Sequence, residues 1–106
     1  HPALFTYWQP TPGIDLATSL AEIDQLGAHI SHVHVFNRDV NKSRGSIEAV
    51  YDYWQEIFAH VRPSAAWSAP AYAMIEFVQG DSAKNLARDS ETLMNLLQAQ
   101  ANVGEA

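Results

Sequence analysis

The sequence predicts an α/β protein with three parallel strands alternating with three helices, in the order β-α-β-α-β-α. Three observations lead there. Short aromatic or β-branched runs alternate with stripes of helical period. A capping residue precedes each stripe. The middle apolar run carries bulk on both faces, as a parallel strand between layers does.

The first strand is expected near residues 3–9, on Leu4-Phe5-Thr6-Tyr7-Trp8, with Pro2 and Pro10 as its bounds. Pro10, Pro12 and Gly13 break it. Asp15 then caps a helix near 15–26, whose apolar face is Leu16, Leu20, Ile23 and Leu26, with Gly27 as the stop. The second strand is expected at 29–36. Ile30, His32, His34 and Phe36 share one face, and Val33 and Val35 share the other. A polar loop follows to Gly45, and Ser46 caps a helix near 46–62. Its stripe is Ile47, Val50, Tyr51, Trp54, Ile57, Phe58 and Val61, and Pro63 ends it. Residues 63–70 read as a linker holding Trp67. The third strand is expected at 71–78, with Tyr72, Met74, Glu76 and Val78 opposite Ala73, Ile75 and Phe77. Asp81 or Ser82 caps a helix near 82–98 that buries Ala83, Leu86, Ala87, Leu93, Met94 and Leu97. The tail beyond Gln98 is expected to fray.

Composition narrows the function. Apolar content of 47% and charged content of 17% are globular values. The lack of cysteine excludes disulfides and thiolate metal sites and leans the compartment toward the cytoplasm. No apolar run approaches the roughly 20 residues that span a bilayer, so no membrane partner is expected. The N-terminus has no signal-peptide pattern. It begins at His1, which predicts a removed leader, a tag remnant or a piece of a longer protein. A net charge of −6 argues against a nucleic-acid partner. Arg38, Lys42 and Arg44 nevertheless fall in one loop, which suits a small anion or simply solvent.

Ligands of parallel α/β folds bind beyond the carboxyl ends of the strands. Here those ends deliver Gln9, then His34, Asn37, Arg38 and Asp39, then Glu76, Gln79 and Gly80-Asp81-Ser82. Glu76 stands out, because a carboxylate among Met74, Ile75, Phe77 and Val78 needs a partner or a metal. A structural ion pair with Arg38 would also satisfy it. His32 and His34 point one way from one strand, as metal ligands do, or as hydrogen-bonded core histidines do. Adjacent strands lie about 4.8 Å apart, so a histidine and Glu76 at matching heights could share a cation. Gly80-Asp81-Ser82 offers backbone N–H groups to an anion, or only a cap. Trp8, at a strand end, suits stacking on a sugar ring or plain packing, whereas Trp54 belongs to a helix stripe.

Tyr7-Trp8-Gln9-Pro10, His32-Val33-His34-Val35-Phe36 and Ile75-Glu76-Phe77-Val78-Gln79-Gly80-Asp81-Ser82 resemble the C-terminal part of sugar phosphate isomerase/epimerase family proteins, of the xylose isomerase-like TIM barrel superfamily. The resemblance covers nearly the whole chain. It implies that residues 1–106 are the last three units of a (β/α)8 barrel, present as a partial barrel. It implies a divalent metal (Mn, Mg, Co or Zn) held by His34 and Glu76, with Gln9 replacing the usual sixth-strand aspartate. It implies Glu76 as the catalytic residue and Arg38 near a sugar or sugar phosphate, with His32 as the other candidate for the histidine; Trp8 and His32 are taken with Arg38 as the candidate substrate contacts. The implied chemistry is proton transfer next to a carbonyl, through an enediolate, aided by a second glutamate that lies upstream in the family. Three units cannot close an eight-stranded barrel. They would leave a parallel edge and an inner face open. A fragment, a truncated relative or a homo-oligomer is therefore expected, inactive as a single chain. The alternatives are a non-catalytic binding or assembly module and a metal nuclease of the same superfamily, which the charge opposes.

Overall fold

The computed structural model describes residues 4–61 and 71–105. The linker expected at 63–70, with Trp67, lies outside them, as do the first three residues. The chain runs β1 (Thr6–Trp8), α1 (Leu16–Leu26), β2 (Ile30–Val35), α2 (Tyr51–His60), β3 (Tyr72–Ile75) and α3 (Ala83–Glu105). The three strands form one parallel sheet in the order β1-β2-β3. This is the expected β-α-β-α-β-α arrangement.

All three helices cover one face of the sheet. Val33, Val35 and Ile30 meet Ile23 of α1, Trp54 and Ile57 of α2, and Leu93 and Leu96 of α3 in a single core. The local signals behave as chemistry dictates. Asp15 accepts the Thr18 N–H at 2.8 Å. Ser46 Oγ accepts the Ala49 N–H, and Ser82 Oγ accepts the Asn85 N–H, both at 3.2 Å. Gly27 ends α1 with φ of 49°, a conformation that suits glycine.

Four expectations need correction. Ile30 joins the core with Val33 and Val35 and does not share the face of His32. The register slips here, Thr6 pairing with Ile30 and Tyr7 with His32, so Ser31 is an extra residue and the alternation shifts. Strand β3 is shorter than 71–78. After one more ladder bond, from Glu76 N to Val35 O at 3.0 Å, Phe77 adopts φ of 52° and turns the chain out. The second helix opens as a 3₁₀ turn, Glu48–Val50, before α2. Finally, α3 buries a different stripe and does not stop at Gln98. Asp89, Thr92, Leu93 and Leu96 are buried, whereas Leu86, Met94 and Leu97 are exposed. A polar pair, Asp89 and Thr92, occupies the inner face, which hid it from an apolar-period search. The tail holds its helix because Ala and Gln favour it and no proline breaks it. Among the described residues no helix is long and apolar enough to cross a membrane.

Candidate functional site

The face of the sheet away from the helices carries Tyr7, His32, His34, Tyr72, Met74 and Glu76. Tyr7, Tyr72 and Met74 are exposed large side chains on it. Parallel register sets His34 opposite Met74 and His32 opposite Tyr72. Glu76 follows two residues beyond Met74, and its side chain reaches back to His34. His34 Nδ1 and Glu76 Oε2 lie 3.2 Å apart. Both atoms are shielded from solvent, yet their alignment does not make a hydrogen bond. The His34 ring is held flat against Tyr7, with centroids 4.3 Å apart and planes within 5°. The alternative of an ion pair between Glu76 and Arg38 does not form; the carboxylate lies against His34.

The two histidines divide their work. His32 Nδ1 accepts the Tyr72 N–H at 3.0 Å and its ring stacks on Tyr72. It therefore pins the start of β3, two residue pairs before His34. Gln9 is exposed past the end of β1, and among the described residues it bonds neither to His34 nor to Glu76. Trp8 is only 4% exposed. It packs edge-on against Trp54 inside the core, so it presents no ring to a sugar. Among the described residues no cluster of three His, Asp or Glu side chains is assembled.

Beyond the pair, the loop from Asn37 to Ser46 folds back on itself. Asp39 accepts the N–H groups of Asn41 and Ser43, each at 2.9 Å. Asn37 Nδ2 donates to Ser46 O at 2.9 Å, and a Cβ on Gly45 would stand 2.7 Å from that nitrogen. A larger residue at 45 would have to push the Asn37 amide aside from this bond. Arg38 and Arg44 face each other across an antiparallel bridge. Both guanidinium groups lie over Phe77, with Cζ 4.4 and 5.4 Å from the ring centroid. Phe36 meets the same ring edge-on at 5.1 Å. A bulky residue with positive φ costs on the order of 1–3 kcal/mol and persists only where its surroundings hold it.

A cleft of about 160 Å³ opens beside this loop, lined by Pro10–Ile14, Phe36, Arg38 and Tyr53. At its base Tyr53 and the buried Ser19 share a hydrogen bond of 2.9 Å. Burial raises the Tyr53 phenol above its ordinary range, against the lowering effect of the Ser19 bond, and Glu22 adds to the rise. A second cleft, of about 220 Å³, lies at the amino ends of the strands, remote from His34 and Glu76.

Sequence reasoning missed Tyr7 and Asp89. Tyr7 had a usable signal, since alternation in β1 places it opposite Trp8. Asp89 had none, because its partner is the Ile47 N–H, 42 residues away, at 3.2 Å.

No family model matches this chain, and no match was found among curated proteins or solved structures.

Proposed function

We propose that this chain supplies the last three units of a xylose isomerase-like (β/α)8 barrel, a divalent-metal-dependent isomerase or epimerase of sugars or sugar phosphates. The observation that carries the reading is the facing pair of His34 and Glu76 at the carboxyl ends of neighbouring parallel strands. Their donor atoms are buried, close and not hydrogen-bonded to each other. Their 3.2 Å separation suits two ligands of one ion, since bonds of about 2.1 Å at ordinary angles set neighbouring donors about 3.0–3.4 Å apart. The nitrogen–oxygen donor set fits Mn²⁺, Co²⁺ or Zn²⁺.

The sheet also supports a larger barrel. Strands in consecutive order with all helices on one side follow a barrel wall, whereas a doubly wound sheet covers both faces. Leu86, Met94 and Leu97 would be covered by a further helix laid beside α3.

A bound metal would polarise substrate oxygens. Tyr7 holds the His34 ring in place for it, and His34 and Glu76 would hold the ion. Glu76, at the open face, also stands where a proton could be taken from a carbon next to a carbonyl. The absence of a third acidic or histidine ligand among the described residues favours a second reading, a binding module whose site is completed by other surfaces.

Calorimetric titration of the full chain with Mn²⁺, Mg²⁺, Co²⁺ and Zn²⁺ tests the first reading. Saturable binding that is lost in both His34→Gln and Glu76→Gln is expected. No binding, or binding indifferent to Glu76→Gln, overturns it. Light scattering on a size-exclusion column tests the need for further surface. An assembly is expected, and a stable, well-folded monomer counts against the partial barrel.

A further inference from the structure

We propose that the open face of the sheet docks on the same face of a second copy of this chain, and that one divalent cation on the two-fold axis, held by His34 and Glu76 of both copies, joins them. The inference rests on the reading of this chain as a binding module whose site other surfaces complete, and it names that surface.

The ligand count points to a second copy. His34 and Glu76 bring two donor atoms 3.2 Å apart. Among the described residues no third His, Asp or Glu joins them. Residues 62–70 hold none of these residue types either. A structural zinc ion takes four ligands in a tetrahedron. In a two-fold dimer the same patch serves both partners, so every contact occurs twice. An axis through the ion therefore doubles the ligands to two imidazoles and two carboxylates, with no other surface required. The Glu76 side chain is 35% exposed, which leaves its carboxylate free to turn toward the axis.

The composition of the face suits an interface. Tyr7, Tyr72 and Met74 are its exposed large side chains. Met74 is level with His34 by register, and the Tyr7 ring stacks on the His34 ring. Interface cores are enriched in tyrosine and methionine and depleted in charge. Of Tyr7, His32, His34, Tyr72, Met74 and Glu76, only Glu76 is acidic and none is a lysine or arginine. Two copies face to face bring their Glu76 carboxylates together, and like charges so placed oppose association. A cation between them turns that repulsion into attraction. The area makes the same demand. Three strands about 4.8 Å apart, rising about 3.3 Å per residue, present on the order of 300 Å² per copy. A stable interface takes about 800 Å² per partner. The sheet face is too small to hold a dimer unaided, so the ion decides whether the two copies associate.

The test combines light scattering on a size-exclusion column with calorimetric titration of Zn²⁺ into the metal-free full chain. In chelator the chain should elute as a monomer. Zn²⁺ should convert it to a dimer holding one ion per two chains, and added chelator should reverse the change. His34→Gln and Glu76→Gln should stay monomeric with Zn²⁺ present. Met74→Arg keeps both ligands and alters an exposed side chain, so its fold should persist. It sets like charges across the axis and should weaken the dimer about tenfold or more. A dimer that persists in chelator overturns the proposal and favours the metal-independent assembly of a partial barrel. One ion per chain on a monomer overturns it and leaves the single-chain reading of His34 and Glu76 standing. No Zn²⁺ binding overturns both. A Met74→Arg chain that dimerises as well as the parent overturns the assignment of this face.

Discussion

The two faces of the sheet follow opposite rules. The helix side is apolar and closed, with Val35, Trp54 and Ile57 at 0% exposure. Asp89 is satisfied there, accepting from Ile47 N and Arg88 Nε, whereas the indole Nε1 of Trp8 is buried with no hydrogen-bond partner among the described residues. The other side is aromatic and titratable. Tyr7 and Tyr72 stand more than half exposed there, each stacked on a histidine. Strand alternation feeds both faces from the same three strands, yet only one is packed. Burial therefore marks where folding energy is concentrated, and stacked rings with an unaligned His–Glu contact mark where binding chemistry is available.

Breaking the closed face should cost most. Trp54→Ala removes a buried ring and the bond from its indole N–H to Phe36 O. About 3–5 kcal/mol of stability should be lost, read from urea denaturation. Asp89→Ala should follow at about 2–4 kcal/mol, because it strands the Ile47 N–H and the Arg88 guanidinium. Tyr53→Phe leaves the Ser19 hydroxyl without its phenol partner, and a loss of about 1 kcal/mol is expected by the same assay. On the open face, Met74→Ala should change stability by no more than about 0.5 kcal/mol. A loss as large as that of Asp89→Ala would show that this face is covered, and the contrast would fail.

The smallest effect concerns acid. Hydrogen bonds from the Thr18 side chain and backbone hold the Asp15 carboxyl below its ordinary range. A lowered folded value means that the cap's stabilisation is complete above the ordinary carboxylate range and disappears as pH falls through the lower value. Denaturation midpoints of the parent and Asp15→Asn should converge over that acidic window. Parallel curves throughout would remove Asp15 from the acid response.

Much of this was legible beforehand where cause and effect are close in sequence. Asp15, Ser46 and Ser82 each cap the residue three positions on, and the stripe from Ile47 to Val61 needs only helical spacing. The inner face of α3 was not legible, since Asp89 is buried through a partner on another element. The site was legible in its chemistry and not in its pairing. His34 and Glu76 were marked by charge on apolar strands, but Trp8 and Gln9 look equally placed until the core claims one and solvent the other.

By itself the sequence determined the parallel β-α alternation, the caps and the gathering of polar side chains at the strand ends, because period and capping act within a few residues. Only the tertiary structure decided that Glu76 meets His34 and not Arg38, that the extra residue Ser31 sends Ile30 to the core, and that Arg38 and Arg44 share one ring. Each of those depends on register between strands or on a loop closing back, and distant segments settle such matters only by packing together.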